Sequence, residues 1–323
     1  MRLVLGIDIG GTTFTVGSVA EDGSRIVALR EEPTRAGDGA DAVLERIAAA
    51  ARAVMDETTR LMPGAAWLGV GAGAPGPLDA ATGVVLLTPN LGWVDYPLRD
   101  RLHAALDLPT VIDNDANCAV LGEWWRGAAR GSRHVIGFTI GTGIGGGIIV
   151  NGELYHGASG VAGEIGHTTI EANGRRCACG NYGCLEAYAS GSAIARRAIE
   201  AVEAGEATSL VERAGGDRSQ ITARTVYDAA HAGDELARDL VHETAQFLGA
   251  GIANLLNVFN PEVVVVCGGV TRAGDLLFTP LRREVARRAF KPAVQAVRIV
   301  AQELDAPGVY GAARVFLDRA AAA

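Results

Sequence analysis

One histidine and three cysteines share the stretch GEIGHTTIEANGRRCACGNYGCLEAY, residues 163–188, at a spacing that suits a metal ion. Nine residues separate His167 from Cys177, one separates Cys177 from Cys179, and four separate Cys179 from Cys184. Three thiolates and an imidazole make the closed tetrahedral set of structural zinc, which leaves no open position for activating water. The expected role is a staple for a loop too rich in glycine and polar residues to order itself by burial. Glu164 and Glu186 flank the ligands. A bound metal would fix their positions without their binding it.

Two glycine turns suggest chemistry of another kind. DIGGTTFTVG sets Asp8, Gly10, Gly11, Thr12 and Thr13 between apolar runs, and TIGTGIGGGI repeats the arrangement with Gly141, Thr142 and Gly143. The second contains G-x-G-x-x-G, yet it leads into the β-branched run IIVNGEL rather than a helix, which argues against the dinucleotide fingerprint. At such hairpins the bare backbone N–H groups can approach a phosphate closely. Two of them facing each other across a cleft could clamp a polyphosphate, and Asp8 adds a carboxylate to hold Mg2+ directly or through water. In VIDNDANCAVLGEW, Asp115 could be a simple helix N-cap. At the carboxyl end of a strand it could instead accept the proton of an attacking hydroxyl, with Asn114 beside it to hydrogen-bond a polyol.

The elements that must hold these residues follow from hydrophobic periodicity. Strands are expected at RLVLGIDIG, TFTVGSVA and RIVALREEP, then a helix over 41–61, strand WLGVGAG, a loop rich in Gly and Pro, a helix over 97–106, strand PTVIDND and a helix over 115–128. The pattern then restarts with HVIGFTIGTG and GGIIVNGEL, which points to internal duplication. After the cysteine stretch come helices near 190–204, 222–232 and 235–259, a buried parallel strand in NPEVVVVCGGV, a helix near 275–289, strand VRIVAQE and a helix from Val309. Two α/β lobes with a cleft between them suit this order. The expected division is a small lobe, residues 1–117 completed by the helix 308–323, and a large lobe, 118–307, carrying the zinc site.

Composition bounds the function. The charge is −8, 28 of 29 basic residues are arginine, and Lys291, the only lysine, lies in no P-loop string. Nucleic acid is therefore not an expected partner. The opening MRLVLGIDIG has neither the length of a membrane span nor a signal-peptide cleavage site, so a cytoplasmic location without membrane attachment is expected. An odd count of five cysteines argues against a disulfide framework, and Cys118 and Cys267 read as core packing.

DIGGT, NLGW, DNDAN, GTGIGGGI, GEIGH and CACGNYGCLE occur here in the order and spacing of the ROK family of bacterial sugar kinases and repressors. The chain resembles that family from Met1 to the last helix, and its glucokinase branch most closely. The resemblance implies the two-lobed actin-like ATPase, ribonuclease-H-like fold with a zinc-binding loop, closing over sugar and ATP. It implies Asp115 as the base that deprotonates the 6-hydroxyl of glucose, and Asn90, Asn114, Asp115, Glu164, His167 and Glu186 as sugar contacts. His167 would bind zinc through one ring nitrogen and sugar through the other. Gly10, Gly11, Thr12, Gly141, Thr142 and Gly143 match the phosphate turns, Asp8 the Mg2+-side carboxylate, and Gly268 and Gly269 the adenosine region.

Thr13 stands where lysine is common in the family, Asp113 where glutamate is, and Cys267 where glycine is. The last two carry no chemical role in this reading. Fructose, mannose, N-acetylmannosamine or N-acetylglucosamine are alternative substrates, and polyphosphate an alternative donor. A sugar-responsive regulator would need an N-terminal helix-turn-helix domain, which a chain opening on its first strand is expected to lack. The resemblance also implies a homodimer or homotetramer.

Overall fold

The computed structural model describes residues 1–88 and 90–322. In chain order its elements are β1 (Arg2–Ile9), β2 (Thr13–Ala20), β3 (Ile26–Pro33), α1 (Ala40–Leu61), β4 (Ala66–Ala74), β5 (Leu78–Asp79), β6 (Val84–Thr88), β7 (Trp93–Tyr96), α2 (Leu98–Leu106), β8 (Thr110–Asn114) and α3 (Asp115–Arg126). The second half runs β9 (Val135–Ile140), β10 (Ile144–Val150), β11 (Glu153–Leu154), α4 (Glu186–Ala189), α5 (Gly191–Glu203), α6 (Leu210–Arg213), α7 (Ala223–His231), α8 (Glu235–Phe259), β12 (Val263–Cys267), α9 (Asp275–Arg288), α10 (Lys291–Ala296), β13 (Arg298–Ala301) and α11 (Pro307–Ala322).

The expected duplication is visible in the strand order. One sheet runs β3-β2-β1-β4-β8 and the other β11-β10-β9-β12-β13. In the first, β1 pairs antiparallel with β2 and parallel with β4, and β4 pairs parallel with β8. In the second, β12 lies parallel to both β9 and β13. The valine run of β12 is buried at every position, as a strand covered on both faces requires.

The chain forms two compact units. The first contains Met1–Arg133, Gly147–Gly163 and the segment from Glu303 onward; the second contains His134–Gly146 and Glu164–Gln302. The division falls after Arg133 rather than after residue 117, because α3 packs against α11 and stays with the first unit. The core of the first unit gathers Ile7, Phe14, Ile47, Trp93, Leu102 and Ile112, and that of the second Phe138, Leu185, Ile194, Leu248 and Val264.

Residues 75–96 are the main departure from expectation. The segment read as a loop forms a small antiparallel sheet, β5-β6-β7, in which Thr88 pairs with Trp93 and Trp93 stacks on Tyr96 at 4.8 Å. Its strands are only two to five residues long, and Gly83 and Gly92, both with positive φ, lie between them. That shortness hides the alternation by which a strand is recognised.

Helix α3 is held by backbone contact. A Cβ on Gly311 of α11 would overlap the Cys118 carbonyl oxygen, and one on Gly122 of α3 would overlap that of Pro307. Fully buried Glu123 adds a polar clamp: its carboxylate accepts N–H groups from Ala128, Glu303 and Leu304, where the chain re-enters the first unit. Gly311→Ala should therefore cost about 3 kcal/mol, the upper part of the overpacking range, read as a lower denaturation midpoint. An unchanged midpoint would show that the two helices can separate freely.

Candidate active site and metal centre

In the first unit three parallel strands bring their carboxyl ends into register. Asp8 of β1 pairs with Gly73 of β4, and Gly73 pairs with Asp113 of β8; Asn114 and Asp115 follow directly. A Cβ on Gly73 would lie 3.2 Å from the Asp115 Cα, so glycine lets the head of α3 settle against the sheet. The N-cap of α3 is Asn114, whose Oδ1 accepts the N–H groups of Ala116 and Asn117. Asp115 is the first helical residue and not the cap. Its Oδ1 accepts the Ala116 N–H at 2.9 Å. Capping engages the Asn114 side-chain oxygen and leaves its amide nitrogen as the group to offer a hydroxyl.

Asp8 is half-buried, and burial together with the nearby negative charge of Asp115 pushes its carboxyl up to about 7. Helix α11 crowds it further, since a Cβ on Gly308 would overlap the carboxylate. A divalent cation is the natural counter-charge for two carboxylates held this way. The adjoining turn is pinned by Gly10 N–H donating to the Thr13 carbonyl and by Thr34 Oγ1 donating to the Gly10 carbonyl at 2.7 Å. Gly11, Thr12 and Thr13 are exposed. Asn90, exposed between β6 and β7, borders the turn: a Cβ on Gly11 would sit 3.3 Å from the Asn90 Cβ.

Asp113, to which the sequence assigned no role, is buried at the centre of a polar cluster. Its carboxylate accepts the Asn114 N–H at 2.8 Å, Asn117 Nδ2 at 3.0 Å and His156 Nε2 at 2.7 Å, and Arg319 lies at 3.7 Å. A lone histidine 43 residues from its partner carries no local pattern, so sequence reading missed it.

In the second unit the other glycine turn hangs from a helix start. Gly141 O accepts the Gly191 N–H, and Thr142 O accepts the Ser192 hydroxyl, at the N-terminus of α5, which Ser190 caps. A side chain at Gly143 would displace Glu186 Oε2, which lies against it and accepts the Ile144 N–H at 2.8 Å. The other Glu186 oxygen is 3.6 Å from Cys177 Sγ. Gly268, at φ +96°, follows β12 under the Ile140 carbonyl and donates its N–H to Gln302 Oε1. Gly269 opens the next turn. Gln302 is a second residue that sequence reading missed.

The ligand atoms of His167, Cys177, Cys179 and Cys184 lie within 4.8 Å of one another. Cys177 Sγ is 3.8 Å from His167 Nδ1, and Cys179 Sγ is 3.8 Å from Cys184 Sγ. A tetrahedron with Zn–S bonds of ~2.3 Å has sulfur–sulfur edges of ~3.8 Å, so the set fits zinc. Short bridges Thr169↔Cys184 and Arg176↔Tyr182 frame the loop. His167 turns Nδ1 to the sulfurs and Nε2 toward Glu164 Oε2, 3.9 Å away. Its two ring nitrogens thus face different partners.

Duplicated hairpin sheets, glycine turns at their strand ends and a carboxylate beside one turn define the class of α/β protein to which the chain belongs. A family model described as ROK family matches residues 4–319, and the chain belongs to that family. It is 38% identical over 318 residues to the glucokinase of Thermotoga maritima, covering 98% of each chain. It is 41% identical over 291 residues to the glucokinase of Halalkalibacterium halodurans, covering 87% of this chain and 84% of that one. Among solved structures it is similar to a ROK family glucokinase from Streptomyces griseus in complex with glucose and AMPPNP, with a TM-score of 0.83, 35% identity and coverage of 97% and 98%. Its fold is thus the actin-like ATPase fold.

Asp8 gives a test with a definite sign. Its folded pKa lies above the ordinary 3.8, so the stability it contributes is full below that value and is lost as pH rises through about 7. Without metal or nucleotide, the stability of Asp8→Asn should gain on that of the parent by roughly 2–3 kcal/mol between pH 5 and pH 8. Urea denaturation at the two pH values measures it, and parallel stabilities would contradict the buried-carboxylate account.

Proposed function

We propose that this chain transfers the γ-phosphoryl group of ATP to the 6-hydroxyl of glucose, with Asp115 as general base. The observation that carries this reading is the pair Asp8 and Asp115 at the carboxyl ends of β1 and β8, on either side of β4, with a glycine turn following Asp8 that has no bulky side chain to keep a phosphate away. Similarity to glucokinases across the chain supports the substrate and the donor.

In this reading Asp115 takes the proton of the 6-hydroxyl while that oxygen attacks the γ-phosphorus in line and ADP departs. Asp8 is the carboxylate for Mg2+, which neutralises charge on the phosphoryl oxygens. Gly10, Gly11, Thr12, Gly141, Thr142 and Gly143 offer backbone N–H groups to phosphates, and Gly268 and Gly269 line the adenosine. Thr13 brings no positive charge, so neutralisation rests on N–H dipoles and the cation. Asn90, Asn114, Glu164, His167 and Glu186 are the proposed contacts to the sugar hydroxyls. Zinc held by His167, Cys177, Cys179 and Cys184 orders the loop that carries the last three.

No helix among the described residues is long and apolar enough to cross a membrane. A cytoplasmic location and a homodimeric or homotetrameric assembly belong to the same proposal.

Asp115→Asn should lower kcat by ~10²–10⁴-fold while glucose binding, measured by calorimetry, persists. Near-full turnover would remove Asp115 from its role. Stripping the metal with a chelator should lower the melting temperature and weaken glucose binding together. If neither changes, the cysteine cluster is not a metal clip.

A further inference from the structure

The Asp113 carboxylate is 3% exposed, and its four polar partners come from three parts of the first unit. Ionised groups are rarely buried so far unless every lone pair is used. Two of the partners, the Asn114 N–H and Asn117 Nδ2, bracket Asp115 in sequence, so the carboxylate holds the backbone before the proposed base and a side chain after it. Arg319 reaches it from α11 and is itself tied to the Ala80 carbonyl at 2.7 Å.

The fourth partner, His156, sits at the base of a different feature. Residues 157–163 read GASGVAG, with Gly157, Gly160 and Gly163 all at positive φ and residues 157–161 exposed. Within this stretch Ala162 N–H donates to the His156 carbonyl at 3.1 Å, which closes the loop on the histidine. The charged groups facing the imidazole are Asp113 and Arg319. Its hydrogen bond to Asp113 outweighs burial and raises its pKa.

We propose that Asp113 and His156 are a positioning pair for the phosphoryl transfer: through the buried carboxylate, His156 clamps the strand end that presents Asn114 and Asp115 and anchors the loop 157–163 to it. Neither residue touches a reacting atom. The proposal rests on the reading of Asp115 as the base.

Two variants and one spectroscopic measurement test it. His156→Phe removes the donor from a half-exposed position and leaves Arg319 beside Asp113, so its melting temperature should stay within a few degrees of the parent. Its kcat should fall ~10–100-fold, the scale of a misplaced catalytic group, with little change in the KM for glucose. His156→Gln, whose amide can still donate to Asp113, should recover most of that loss. Wild-type kcat in His156→Phe, or equal losses in the two variants, overturns the proposal. By NMR the His156 ring should titrate above an ordinary histidine in the parent and fall back in Asp113→Asn; an ordinary titration in the parent also overturns it. If the parent phosphorylates no hexose, the reading of Asp115 fails and the catalytic purpose of the pair fails with it. The titration then still decides whether the pair exists.

Discussion

Helices α3 and α11 meet backbone against backbone, through Gly122 and Gly311, and the first unit is organised around that contact. Side chains at these positions would push the helices apart, because glycine alone lets two carbonyl-bearing surfaces close up. Since Asp115 is the first residue of α3, the close approach also sets where its carboxylate stands. Gly308, one turn earlier on α11, brings the same helix against Asp8. One glycine-lined seam thus positions both carboxylates, and a change in helix spacing would move them together.

The second unit reaches a comparable end by polar means. Glu186 connects the glycine turn at Ile144 with the sulfur cluster at Cys177. Its carboxylate stands between a glycine turn and a cysteine cluster, two features that the sequence presents as separate motifs. The loop is framed by two isolated bridges, and Cys177 and Cys184 pack with Ala187 and Tyr188 in a small cluster of their own. A carboxylate accepting a backbone N–H adds order there, and a metal on the proposed ligands would add more.

Much of this was legible in the sequence. The long helices and the valine strand announce themselves by period and length, and the metal set by spacing. The two turns were recognisable because glycine and threonine recur in the same relation to flanking strands. What escaped was of two kinds. The strands β5 to β7 are too short to show alternation, although they carry Asn90 between them. The partners Asp113 with His156, and Gly268 with Gln302, lie 43 and 34 residues apart, and only the tertiary arrangement brings them together. The Asn114 cap was hidden by its neighbour, since two adjacent residues of cap-forming type cannot be ranked without the backbone.

The composition of the first unit has a consequence for how the protein is made. Its early strands leave the ribosome first, but α11, which packs against β1, β4 and α3, is translated only after all of the second unit. The first-made unit is therefore the last to be finished. Until α11 arrives, the glycine faces of β4 and α3 have nothing against them, and the second unit, whose residues are contiguous apart from His134–Gly146, can fold ahead of it. Both proposed phosphoryl-transfer carboxylates then come into place only near the end of synthesis, so that the nascent chain can complete its cysteine-bearing loop before its two carboxylates are set.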